Sequence, residues 1–230
     1  RASSASRSRL RPRVHRQGVI YSPPHQWSNS DPGGCFSFAA VMTHAFSWVH
    51  VSDLHFGHGT AAHRIDQGAV LAELVEDVLA SARRFDLTID AVLVSGDIAF
   101  SAAAEQYAEA SRWFAKLLTG LRTGSRLPEL LAVAGNHDVQ WSVARKYPLE
   151  DLVSSVRLGK RHIDEMLQHP DQIGDLKTAF ANFEKFLQGS DPIAWERTFP
   201  LGSRSVQIVG LNSALLSRDG EDQGNLCLAI

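Results

Sequence analysis

Cysteine is nearly absent: Cys35 and Cys227 are the only two in 230 residues. Two are too few for a disulfide framework and do not form a CxxC pair, so a reducing compartment, the cytoplasm, is the expected location. No apolar run reaches the ~18 residues of a membrane span. The formal net charge is only −2. Over the whole molecule, that gives no reason to expect a nucleic-acid footprint or an acidic-lipid surface. Neither GxGxxG nor GxxxxGK[ST] occurs, which removes both glycine-rich nucleotide loops. No internal repeat is visible, so a solenoid is excluded. Hydrophobic residues at 44% and charged residues at 21% are ordinary for a soluble globular domain.

Acidic residues are missing before Asp31, and methionine is missing before Met42. Residues 1–45 read as a disordered Arg/Ser-rich extension, opening with "RASSASRSRLRPRVHRQG". An organelle transit peptide has the same composition. Sequence translated upstream of a natural start at Met42 is the favoured reading. Residues 46–230 are the expected domain.

From Phe46 the pattern is orderly. "FSWVHVS" alternates as a strand does. Val70, Leu71, Leu74, Val75, Val78, Leu79 and Ala82 recur at helical spacing, predicting a helix over roughly 65–84. "IDAVLVSGD" is a continuous apolar run of the kind covered on both faces. "AEQYAEASRWFAKLLTG" is a second helix, with Tyr107, Ala110, Phe114 and Leu117 on one side and Gly120 near its end. "ELLAVAGNHD" is a third strand and turn. The order βαβαβ predicts an α/β fold with parallel strands. Residues 149–188 read as an insert of two or three helices. Two strand-like runs follow, "AWERTFPL" and "SRSVQIVGLNSALL".

Each of the first three strands ends in residues with chemistry: Asp53-Leu54-His55, then Gly96-Asp97, then Gly135-Asn136-His137-Asp138. In an open α/β sheet, ligands bind beyond the carboxyl ends of the strands, so folding gathers all three clusters on one edge. Carboxylate, imidazole and amide oxygen together suit divalent ions such as Mn²⁺, Fe²⁺ or Zn²⁺. Taken singly, each cluster is more often a turn or a helix cap. Accident at three matching strand ends is the weaker explanation. His50 reads as a strand-face residue. His58 and His63 read as loop residues, with His58 within reach of the pocket. His162 and His169 read as solvated, and Trp141 as a candidate wall.

DxH, GD and GNHD in this order, with "HVSDLHFGHG" and "LVSGDIAFSAAAEQY" around them, resemble the calcineurin-like metallophosphoesterases. The resemblance implies an α/β sandwich with two sheets between helices, in four layers when complete. It implies two divalent metal ions: Asp53 and His55 on the first, Asp97 bridging both, and Asn136 on the second. It gives His137 the leaving-group oxygen, and Asp138 a place orienting His137. It also implies hydrolysis of phosphomonoesters or phosphodiesters, cyclic nucleotides among them, with a small phosphate ester or nucleotide as partner. "IVGLNSALL" resembles a later strand ending near the same site. The family completes its site with a further His and a GHxH-type motif. Neither follows Asn212, and the last histidine is His169. The expectation is therefore a domain cut short after Ile230, with a further C-terminal part beyond it. The alternative is a non-catalytic or truncated module that binds a phosphorylated ligand or partner within a larger signalling protein.

Overall fold

Three short β-rich runs become one parallel sheet in the computed structural model, which describes residues 45–218. The extension expected over 1–45 lies outside these residues, except for Ala45. The strands are β1 (Trp48–Val51), β2 (Ala91–Ser95) and β3 (Glu129–Val133), in the order β1-β2-β3. Trp48 pairs with Ala91, and Ala91 with Glu129, so the three strands finish level with one another. Two helices make the crossovers, α1 (Ala61–Arg84) and α2 (Ala104–Gly120).

Side chains alternate across the sheet, as strand geometry requires. Val49, Val51, Val92, Val94 and Ala132 join the main core with the helices. Trp48, Ala91, Leu93 and Leu131 face the other way. The reading of β2 as covered on both faces holds. On α2, Tyr107, Ala110, Phe114 and Leu117 are all buried, as their spacing predicts. Each fully buried side chain of the size of Phe114 or Leu117 contributes about 1.5–3 kcal/mol.

Three details add to the sequence reading or differ from it. First, α1 begins at Ala61, capped by Thr60, and its buried face starts only at Leu71; Val70 is exposed. His63 therefore sits in a helix, not a loop. Second, Gly120 is the last residue of α2 and has no left-handed backbone. A Cβ there would come within 2.6 Å of Leu79, so this glycine lets α1 and α2 approach. Trp113 Nε1 also joins the two helices by donating to Leu71 O at 2.9 Å.

Third, the insert holds more helices than expected. After α3 (Trp141–Ala144) come α4 (Leu149–Arg157), α5 (Ile163–Met166), α6 (Pro170–Thr178) and α7 (Ala181–Phe186). The apolar run "LKTAFANFEKFLQG" is split between α6 and α7 by a break at Ala179-Phe180. Ala179 O accepts from Gln140 N, and Phe180 is buried. Tertiary contacts here override local propensity. Phe183 and Phe186 of α7 lie 6.3 and 5.4 Å, ring to ring, from Tyr107 of α2.

The last two strands, β4 (Ala194–Leu201) and β5 (Arg204–Leu211), form an antiparallel hairpin. It covers the second face of the sheet through Trp195, Phe199, Val206 and Ile208. Trp195 Nε1 donates to Ala132 O at 2.7 Å. Helix pair, parallel sheet and hairpin make three layers among the described residues. Asn212, which the resemblance drew toward the site, is buried. Its amide donates to Pro192 O and accepts from Ala214 N. No helix among the described residues is long and apolar enough to cross a membrane.

Candidate functional site

The parallel pairing continues past the strands, and this is what builds the site. His55 N donates to Asp97 O, Phe56 N to Ile98 O, and Phe100 N to Phe56 O, at 2.9–3.1 Å. The loops after β1 and β2 thus run side by side. The loop after β3 contains a short 3-10 turn, Asn136–His137–Asp138. Its His137 N donates to Asp97 Oδ1 at 3.0 Å.

Backbone conformation at the site is unusual. Asp53, His55 and Asp97 have φ of +57°, +46° and +55°. Non-glycine residues rarely adopt this region, and each costs on the order of 1–3 kcal/mol unless its surroundings enforce it. Gly96 and Gly135 let the loops touch. A Cβ on Gly96 would lie 2.8 Å from Gly135 Cα. A Cβ on Gly135 would overlap the Asp97 carboxylate.

His55, Asp97 and His137 each bring a ligand atom into one group, all within 4.8 Å of one another. Asp53 borders it: His55 Nε2 is 3.8 Å from Asp53 Oδ1 and 3.9 Å from Asp97 Oδ2. These separations are too long for hydrogen bonds. They suit a shared ion, because a metal about 2.0–2.2 Å from each of two ligands holds them at most ~4.4 Å apart. Burial lowers the pKa of His55, outweighing the pull of Asp97. The shift favours the neutral ring, the form that ligates a metal. His55 Nδ1 is buried with no hydrogen-bond partner. The donor set therefore fits a divalent cation. Asn136 opens the same turn, and its backbone carbonyl accepts from Trp141 Nε1 at 3.1 Å.

The loop after β1, the β2 loop and the GNHD turn thus converge on one His/Asp cluster. A model of the calcineurin-like phosphoesterase family matches residues 46–197. The chain belongs to that family. No curated protein matches it.

Within this phosphoesterase domain, two placements depart from the sequence reading. Asp138 was expected to act at the site by orienting His137. Instead it is fully buried and clamps the loops. Its carboxylate accepts from Ile98 N, Ala99 N, Gly135 N and Tyr107 Oη at 2.9–3.2 Å. Burial raises its pKa to about 6, against the opposing effect of those hydrogen bonds. The same burial, with Asp138 beside it, raises that of Tyr107. The His137 ring is oriented by Phe100: its Nδ1 lies 2.7 Å from Phe100 O. A carbonyl only accepts, so the Nδ1 proton is fixed there and Nε2 is left free.

Sequence reasoning did not find Phe100 O, because a backbone carbonyl carries no residue signal. Trp141 does line the site, 5.7 Å from His137 ring to ring, and the Arg145 guanidinium lies over the Trp141 ring at 5.8 Å. The insert braces the site's loops from α7, where Asn182 donates to Ala102 O at 2.9 Å.

Proposed function

We propose that this calcineurin-like phosphoesterase hydrolyses small phosphate monoesters or diesters, nucleotides among them, with two divalent ions of the Mn²⁺, Fe²⁺ or Zn²⁺ class. The observation that carries this reading is the pair of gaps from His55 Nε2 to the carboxylates of Asp53 and Asp97, each the width of a shared cation. Asp53 and His55 would hold one ion. Asp97 would serve both ions, with its Oδ1 also accepting from the His137 amide, which fixes the carboxylate in place. Asn136 would serve the other ion through its amide oxygen. The chemistry such ions supply when bound is polarisation of phosphoryl oxygens and acidification of water. His137, its Nδ1–H directed at Phe100 O, would present Nε2 to the substrate, and it donates a proton to the departing oxygen only in the doubly protonated imidazolium form. Trp141, against His137, walls the side where an organic group would lie.

The test is Mn²⁺-dependent release of p-nitrophenol from bis-p-nitrophenyl phosphate by the full chain. Asp97→Asn should lower the rate by more than about 100-fold, exceeding the ~10–100-fold typical of residues that only support a ligand. Equal rates in the two proteins, or a rate indifferent to a chelator, would overturn the assignment. Metal binding without hydrolysis would point instead to a module that holds a phosphorylated ligand.

A further inference from the structure

Two imidazoles outside the cluster meet at the rim of the site. His58 belongs to the loop after β1, and His63 to the first turn of α1. His58 Nδ1 lies 3.2 Å from His63 Nε2, with the two rings nearly perpendicular. Both rings are positioned by their neighbours. His58 packs against Phe100, with centroids 4.5 Å apart. His63 is fixed by the helix cap, where its amide donates to Thr60 Oγ1. Its ring lies over Gly59, whose φ of +78° suits glycine. A Cβ at Gly59 would come within 2.7 Å of the His63 ring.

A hydrogen bond between two neutral rings at a wet edge gains only about 0.5–1.5 kcal/mol. The separation fits a stronger arrangement. An ion about 2.0–2.1 Å from each nitrogen spans that distance when the angle at the ion is about 100°, between octahedral and tetrahedral values. We propose that His58 and His63 form an outer metal site for a borderline cation of the Zn²⁺, Ni²⁺ or Cu²⁺ class, with solvent completing its coordination. The site is distinct from the inner cluster: the His55 and His58 ring centroids are 6.5 Å apart. It does not depend on the phosphoesterase reading, because it is defined by binding alone.

The experiment titrates Zn²⁺ by calorimetry into the untagged, metal-stripped full chain carrying Asp97→Asn, which disables the inner cluster. One equivalent should still bind. It should vanish when either His58→Ala or His63→Ala is added. Cu²⁺ at the same site should give an EPR spectrum with coupling to two nitrogens. Circular dichroism melts check folding; alanine at position 63 is a better helix former than histidine. No binding to Asp97→Asn, or parental affinity in either double variant, overturns the proposal.

Discussion

Along β2, Val92 and Val94 face the helices, Ala91 and Leu93 face the hairpin, and no residue has positive φ. Two residues beyond its end, Asp97 stands at φ +55°. Six described residues other than glycine share that conformation. Asp86 and Gln188 follow α1 and α7, where a left-handed residue is an ordinary helix ending. Asp53, His55, Asp97 and Ala102 lie in the loops at the rim of the sheet. The sheet satisfies every local rule, while the rim breaks one repeatedly at the residues that carry the chemistry. Strain of this kind persists only where other contacts enforce it. At this rim they are the continued parallel pairing and the Asp138 clamp.

Removing the clamp breaks the contrast most severely. Asp138→Ala leaves two buried amides, the part-buried amide of Gly135 and the buried Tyr107 hydroxyl without the carboxylate that accepts from them. Each unsatisfied group costs about 1–3 kcal/mol, so a loss of roughly 3–4 kcal/mol is expected after partial relaxation. Urea denaturation would measure it, and the proposed Mn²⁺-dependent hydrolysis of bis-p-nitrophenyl phosphate should fall with it. A variant as stable as the parent would mean that the rim is held by something else. The clamp also sets a pH dependence. The folded pKa of Asp138 is about 6 against an ordinary 3.8, so between these values the folded state binds more protons than the unfolded. The stability from this group is fully present below about 3.8 and is lost as pH rises through about 6. Metal-free chain melted across that window should show this decline, and Asp138→Asn should lack it.

Gly135→Ala sharpens the comparison with a smaller change. The new methyl would overlap the Asp97 carboxylate and lie 2.5 Å from the Asp97 amide nitrogen. Backbone and ligand must then move together, at a cost of about 1–3 kcal/mol. Metal affinity should fall more than this stability loss alone explains, because Asp97 itself is displaced. Calorimetric Mn²⁺ titration beside a thermal melt separates the two effects. Unchanged affinity would show that the glycine serves the fold only.

The frame was legible because its signals are periodic. Tyr107, Ala110, Phe114 and Leu117 announce one helix face, and all four are buried. The convergence of Asp53, His55, Asp97 and His137 was legible from topology, since parallel strands deliver their ends to one edge. What stayed hidden depends on backbone or on distant partners. Phe100 acts through its carbonyl. Asp138 looks like a site residue by its place in GNHD, and its burial comes from Tyr107 and the loop after β2. The break at Ala179-Phe180 comes from a contact with Gln140 that no helical period records. His63 pairs with His58 only because α1 starts earlier than its apolar spacing suggests.

The smallest expected effect has the opposite sign. Gly68 lies inside α1, has no positive φ, and offers a new Cβ no atom within 4 Å. Gly68→Ala adds a methyl to open space and removes freedom from the unfolded chain. It should therefore stabilise the protein by about 0.4–1 kcal/mol. Activity and metal affinity should not change, since the exposed face of α1 at this point touches neither sheet nor rim. The same substitution that harms position 135 should help position 68, because one glycine is required by contact and the other is not. The first turns of α1 do reach the rim, through His63 beside His58 and through Gln67 Nε2, which donates to Leu54 O and His55 O; if Gly68→Ala also destabilised the chain, position 68 itself would have to be counted with those rim contacts.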